Sequence, residues 1–515
     1  MMKQQMRTRV LTSILSAAAV WGFAGPAAAQ TQNNRSAYFL GGATFRHELN
    51  PAFMGERGYV TMPGLGNLSF GAQGTSGVGD FLFVKQNGDL MTFMHEDVGR
   101  DEFLNGLPRR VKFGFNLEET ILSTGFYAWG GFNTFGISVK SNTNFSAPDA
   151  LFKFMKSGVD RPEGTHYQID DISAVSTNYA EIALGHAREL NEQWTVGAKV
   201  KFLVGLAKAT VKIDRLDVVA TPDYWQITPS GAQAYLSAKG LVAPTRGETG
   251  NYDDSDYALD DAGNRTDQLK PGSENLLSYD DLDLDDNNIG PTGFGMAFDF
   301  GATYRLNDEW TFSAAVLDLG FIRWKNTVKA TMNNSFEFDG FTEIPVNSDL
   351  GDDDPNSIDN QADRIGDDLE ELSKFTKEGE GLKRTTALAA TLNLGAQYTL
   401  PAYDRLNFGL LSSTRFQGRH WWTEARVSAN VFPLKWFEAS LNYAISNFGS
   451  TGGLMLNFHP RGFNFFIAAD APMGKFSPKY YAPVNRFALN VNLGINFTFG
   501  PEYKRKYNCV EVQSL

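Results

Sequence analysis

The sequence predicts an all-β chain closed into an antiparallel transmembrane β-barrel of about 14 strands, with an N-terminal hatch and long extracellular loops that carry short helices. Three observations lead there: an export segment at the start of the chain, no apolar run behind it long enough to cross a membrane as a helix, and short connections that alternate with long ones.

Lys3, Arg7 and Arg9 precede the apolar run 10–23, and Ala27-Ala28-Ala29 before Gln30 suits a small-residue cleavage site. Residues 1–29 therefore read as a signal peptide, and the mature chain is expected to begin near Gln30. Behind it no stretch of eighteen apolar residues occurs. A membrane chain of this kind has only one way across, because lipid leaves backbone N–H and C=O groups without partners unless strands pair into a closed ring. The composition agrees, with 51 Gly, 40 Phe, 18 Tyr and 9 Trp in 515 residues favouring short aromatic strands over helical cores. A lone Cys509 excludes an intramolecular disulfide and a cysteine metal site. The net charge of -13 is concentrated in 251–288 and 349–380, which assigns it to loops and leaves no basic patch for nucleic acid.

Period-two alternation places strands near 65–72, 111–128, 134–145, 174–189, 195–219, 292–306, 310–332, 386–399, 405–417, 421–431, 436–446, 452–459, 463–470 and 487–499. The connections at 129–133, 190–194, 307–309, 400–404, 432–435 and 460–462 are short, whereas 73–110, 146–173, 220–291 and 333–385 are long and fall on the other side. Such parity is the habit of outer-membrane barrels, whose short turns face the periplasm. Trp129, Trp194, Trp310 and Trp436 sit beside the short turns, where an interfacial girdle is expected. In the final strand Phe487, Leu489, Val491, Leu493, Ile495, Phe497 and Phe499 share one face, and Asn490, Asn492, Gly494, Asn496 and Thr498 the other. The polar face belongs to the lumen, since a basic side chain on lipid costs about 2–4 kcal/mol at the bilayer midplane. Lumen candidates chosen on this ground are Lys199, Lys201, Asp299, Arg305, Glu424, Arg426, Glu438 and Asn442, expected to form an internal polar network.

Asn492, Gly494, Phe497 and Phe499 follow a polar-x-Gly-x-x-aromatic-x-aromatic pattern that resembles the C-terminal signal read by the barrel-assembly machinery, with the departure that sixteen residues follow it. Those residues, 500–515, are expected to form a periplasmic tail. Near the mature N-terminus, Leu49-Asn50-Pro51-Ala52-Phe53 resembles the NPA element of FadL-type transporters for long-chain fatty acids and other hydrophobic compounds. The resemblance implies that 30–58 is a hatch inside the barrel 59–499, with Asn50, Pro51, Ala52 and Phe53 at its centre, and that a kinked strand opens laterally. Asn50 could then satisfy backbone groups of the adjoining wall while Pro51 fixes a bend. More narrowly, the order of NPA segment, acidic insertions and Val-Leu-Asp-Leu-Gly at 316–320 is similar to FadL-like barrels of Bacteroidetes, relatives of the PorV and PorP components of type IX secretion and gliding.

The chain carries no GxSxG elbow, no HExxH and no phosphate-binding glycine loop, and its six histidines lack ligand spacing, so neither catalysis nor a cofactor is expected. Asp281, Asp283 and Asp285 offer hard oxygens for a divalent cation, yet lack the glycine and closing glutamate of an EF-hand loop; a solvated loop is the simpler reading and no metal is assigned. Residues 363–375 read as a short helix over the barrel mouth, with Ile365, Leu369, Leu372 and Phe375 in an apolar stripe. The functional expectation is passive uptake of a hydrophobic or amphipathic small molecule across the outer membrane, both termini being periplasmic. The alternative is an accessory barrel that docks partners of a secretion, adhesion or gliding system. Expected partners are outer-membrane lipid, the barrel-assembly machinery and a hydrophobic ligand; no protein partner is named by the sequence.

Overall fold

The computed structural model describes residues 34–84, 90–93, 97–158, 163–221, 225–253, 256–260, 265–278, 281–332, 336–338, 374–476, 483–484, and 486–503. The signal peptide, most of the 363–375 helix and Cys509 lie outside these residues. Fourteen antiparallel strands form a closed wall, each paired with its sequence neighbour. They are β1 (Gly58–Thr61, resuming at Leu68–Gly74), β2 (Arg110–Ala128), β3 (Gly131–Pro148), β4 (Thr165–Glu189), β5 (Trp194–Ala220), β6 (Gly293–Arg305) and β7 (Trp310–Met332). Then follow β8 (Thr376–Ala387, continuing as Ala390–Thr399), β9 (Leu406–Phe416), β10 (Trp422–Leu434), β11 (Phe437–Ser446), β12 (Gly449–Phe458), β13 (Asn464–Pro472) and β14 (Phe487–Phe499). β14 closes the ring against both parts of β1. No helix among the described residues is long and apolar enough to cross a membrane.

The pleat sorts the side chains as the alternation requires. In β11, Glu438, Ser440, Asn442 and Ala444 are buried within the ring, whereas Leu441 (67% exposed), Tyr443 and Ile445 face outward. The same holds for β14, with Asn490, Asn492 and Asn496 inside and Phe497 and Phe499 outside. Exposed Phe294, Phe300, Leu319, Leu410, Val427 and Leu454 continue the apolar outer band.

Six short turns gather at one end. Trp129 and Gly130 both have positive φ, 55° and 74°, the two-residue geometry whose twist matches the strands it joins. The related Arg/Leu/Asn turns have one mechanism: Asn191 Oδ1 accepts from the N–H groups of Gln193 and Trp194, and Asn307 Oδ1 from those of Glu309 and Trp310. Trp129 is 79% exposed, and Trp194, Trp310 and Trp436 are also exposed, so these are rim residues and not core tryptophans.

The opposite end is much taller. At about 3.4 Å per residue, the 25 residues of β4 and 27 of β5 run for roughly 80–90 Å, far beyond the 9–11 residues that cross a bilayer. Above the end of β6, the strand Ala232–Ala238 takes its place between β5 and β7. It continues the stretch Trp225–Ser230 through Gly231 (φ 63°), and both stretches run along β5 in one register. In the sequence this strand falls inside the 220–291 loop, because Pro229-Ser230-Gly231 reads as punctuation. Inside this outer storey lies an apolar core. Val111, Ile169, Ile213 and Val218 from the wall meet Leu151, Phe152, Phe154 and Met155 from the helix Asp149–Ser157. Each such side chain contributes about 1.5–3 kcal/mol on burial.

β1 is interrupted. Thr61 pairs with Asn496 and Leu68 with Leu493, so seven residues of β1 span three of β14. The surplus, with Gly64 at φ 74°, forms a bulge that presents Met62 and Leu65 to the exterior.

Candidate functional site

The segment Asn34–Met54 lies inside the ring, in two single turns of 3-10 helix, Arg35–Ala37 and Thr44–Glu48. Its partners come from around the whole wall. Asn50 is fully buried; its Nδ2 donates to the carbonyls of Ala302 on β6 and Ala314 on β7, both at 3.3 Å, and its Oδ1 accepts from Ala52 N at 2.9 Å. The turn this makes can approach the wall only because Gly197 and Gly301 face each other in register on β5 and β6. A Cβ on Gly197 would fall 2.1 Å from Pro51 O, and one on Gly301 2.0 Å from Asn50 Oδ1. Asn393 Nδ2 donates to Leu49 O at 2.9 Å, and Phe53 packs edge-on to Tyr38.

Two separate charge networks flank this turn where a single one was expected. On β10–β13, Arg35 binds Glu424 through two hydrogen bonds of 2.9 and 3.0 Å, Glu424 accepts from Arg426 at 2.9 Å, and Arg426 grips Asp470 at 3.0 and 2.9 Å. Ser36 Oγ donates to Asp470 at 2.8 Å, Asn442 accepts from Arg426, and the Arg35 guanidinium lies 4.3 Å over the Trp422 ring. Two cations and two anions, all buried, neutralise one another. Nearby, Glu438 accepts from Gly42 N at 3.2 Å and from Asn457 at 2.6 Å, and Thr44 joins Asn464 and Asn496.

On β2–β7 the second network encloses space. Lys199 Nζ donates to His47 Nδ1 at 2.8 Å; an ammonium can only donate, so Nε2 carries the imidazole proton and donates to Tyr59 OH at 2.6 Å. Tyr59 OH in turn meets Ser123 Oγ at 2.9 Å. Lys201 lies 2.8 Å from Asp299 and 2.6 Å from Asp318. Asp318 points inward because β7 bulges there: its φ is 60°, and its N–H donates to Asp299 Oδ1 at 2.8 Å. Lys140 bridges Glu118 and Glu181. Between them and Glu48 lies a polar cavity of about 70 Å³. Glu48 also accepts from Asn67 Nδ2 at 3.2 Å, tying the inner segment to the interruption of β1.

Below the segment, toward the short turns, a larger chamber of about 320 Å³ opens. Its rim is crossed by the chain after β14: Arg57 donates to Gly500 O at 3.1 Å and pairs with Glu502, Tyr503 N donates to Glu56 O at 2.7 Å, and the Tyr503 ring stacks on Tyr127 at 4.2 Å. Burial pushes the Glu56 carboxyl above the ordinary carboxylate range, with Glu502 adding to the rise, and burial pushes the neighbouring His459 imidazole down.

Of the sequence candidates, Lys199, Lys201 and Asp299 belong to the second network, Glu424, Arg426 and Asn442 to the first, and Glu438 to its own small set. Arg305 does not join them: it stands at the rim and pairs with Asp308 of its own turn. Asn492 Oδ1 accepts from Asn34 N at 3.2 Å, Gly494 admits the carbonyl of Gly66 in the β1 bulge, and Phe497 and Phe499 point outward. Asp281, Asp283 and Asp285 are not brought together: they accept from Ser278 and Asn251, Leu284 N and Asn287 N respectively. No cluster of three metal-ligating side chains occurs among the described residues. Sequence reasoning missed Arg35, Ser36, His47, Glu48, Asp318 and Asp470; only the polar-face position of Asp470 in its strand signalled any of them.

A family described as "Family of unknown function (DUF5723)" matches residues 51–470. No curated protein matches the chain. Among solved structures it is similar to the Ralstonia pickettii toluene transporter TbuX, with 8% identity, 88% of this chain and 94% of that one covered, and a TM-score of 0.38. The P. putida toluene transporter TodX gives 9% identity, 93% and 97% coverage and a TM-score of 0.37. A Pseudomonas aeruginosa FadL homologue gives 10% identity, 92% and 100% coverage and a TM-score of 0.38.

Proposed function

The chain belongs to the DUF5723 family, whose function is unknown, and from its geometry we propose that it is a bacterial outer-membrane barrel for passive uptake of a hydrophobic or amphipathic small molecule. Asn34–Met54 is then the hatch, and both termini face the periplasm. The interruption of β1 beside the hatch carries this reading: at 62–67 the backbone pairing is irregular, apolar Met62 and Leu65 face outward, and Glu48 of the hatch holds Asn67. Rearrangement of the hatch there would join the lumen to the bilayer and deliver an apolar solute sideways. The path is closed in this state.

A reversible cross-link tests the coupling. With Cys509 replaced by serine, Glu48→Cys and Asn67→Cys can be joined by a short bis-methanethiosulfonate reagent that spans the gap the longer native side chains fill. Uptake of a hydrophobic fluorescent probe into proteoliposomes should fall at least tenfold on cross-linking and return on reduction. Equal uptake in both states would refute lateral release at this bulge.

A second reading has its own observation. The hatch and its networks occupy the lumen at one level, an apolar core narrows it at another, and β4, β5 and β7 run well beyond the length a bilayer needs. An accessory barrel for secretion, adhesion or gliding partners, as the PorV-type resemblance implies, needs those features and no pathway. Stoichiometric partners cross-linked in native membranes, with no probe uptake, would favour it.

A further inference from the structure

We propose that the 320 Å³ chamber beneath the hatch is a binding site for an uncharged, single- or double-ring aromatic molecule bearing one hydroxyl or carbonyl group. The lining has two unlike sides. Hatch and rim supply Phe39, Phe53, Tyr127, Phe432 and Tyr503, which give an otherwise polar lining its aromatic part. The wall supplies neutral polar groups in register. Thr195 on β5 lies opposite Thr303 on β6, Thr303 opposite Ser313 on β7, and Thr311 opposite Gln397 on β8.

Ser313 is used, since its hydroxyl meets Tyr38 OH at 3.0 Å. The side chains of Thr195, Thr303, Thr311 and Gln397 make no hydrogen bond to protein among the described residues, so four donor–acceptor groups face the chamber. The charges in the lining are engaged within it. Arg46 covers the Phe53 ring at 4.2 Å and donates to Tyr38 O, and Glu189 accepts from Tyr503 OH at 3.3 Å. Glu56 lies 3.8 Å from His459 Nδ1. An ionic ligand would have to displace these contacts, whereas a neutral one with a single polar group completes the unused hydroxyls. Tyr503, stacked on Tyr127 after β14, forms the floor and would move to admit it.

The chamber opens toward the short turns, so the proposal goes beyond uptake and stands apart from it. Binding of 2-naphthol to the full-length protein in detergent, measured by isothermal titration against a detergent blank, tests it. The wild type should bind saturably at one site. The near-isosteric Thr195→Val/Thr303→Val variant should bind 2-naphthol about tenfold more weakly, as loss of one or two hydrogen bonds implies, with naphthalene affinity unchanged. Thr303→Trp, shown to be folded by heat-modifiable migration, should abolish both. Absence of saturable binding, equal 2-naphthol affinity in the valine variant, or a parallel loss for naphthalene would overturn the assignment. None of these results bears on whether the barrel transports.

Discussion

Replacing Gly301 with leucine is expected to expel the Asn50-Pro51-Ala52 turn from the wall and convert a closed barrel into a conducting one. The space a side chain would need is already held by Asn50 Oδ1, 2.0 Å from the position of a Cβ. Neither neighbour can yield cheaply: Asn50 is fixed by two wall carbonyls and its own turn, and β6 is paired on both sides. Overpacking of this kind costs about 1–3 kcal/mol, and removal of the hatch turn from its seat relieves it. The wall itself should survive, because Gly301 makes ordinary ladder contacts with Gly197 and Ala315. Planar-bilayer recordings should therefore show stable conductance in Gly301→Leu, with heat-modifiable migration unchanged. Gly197→Leu should behave alike. In the opposite direction, Gly301→Ala should give brief openings only.

The second large effect is expected at Arg426. Its methionine variant leaves Asp470 buried with only the Ser36 hydroxyl, and Glu424 with Arg35 alone. Removing one partner from a buried ion network typically costs about 3–5 kcal/mol, mainly for the charge left behind. The temperature at which the folded band disappears on a gel should fall by several degrees. Arg426→Met combined with Asp470→Leu should recover much of that loss, since the stranded carboxylate is gone. If the single and double variants unfold together, the cost lies in packing and not in charge.

The two networks divide the labour around the hatch. Its first half is clamped to β10–β13 by bidentate guanidinium contacts, while its second half meets β2–β7 across a polar cavity and a bulged strand. Movement should therefore begin around Glu48, which holds Asn67 at the interruption of β1.

The wall was legible in the sequence because its causes are local. Period two, Asn191 and Asn307 at turn corners and the asparagine row of β14 each act within one strand or hairpin, so spacing alone reveals them. The wall side of the interior was readable for the same reason: Lys199, Glu424 and Glu438 declare their face by alternation. The hatch side was not. Arg35 meets Glu424 and Ser36 meets Asp470 across some 400 residues of chain, and no periodicity reports such a pairing. Asp318 escaped because a bulge turns its side chain inward, where strict alternation along β7 does not place it. The break in β1 was blurred by Pro63, Gly64 and Gly66, which could equally mark the start of a strand.

Conductance of the chain lacking residues 34–54 tests the central claim most directly, that a closed transmembrane barrel is stoppered from within by its own N-terminal segment. The full-length protein should be silent in planar bilayers and the deleted protein, still heat-modifiable, should form steady open pores. A folded deletion variant as silent as the intact chain would contradict it.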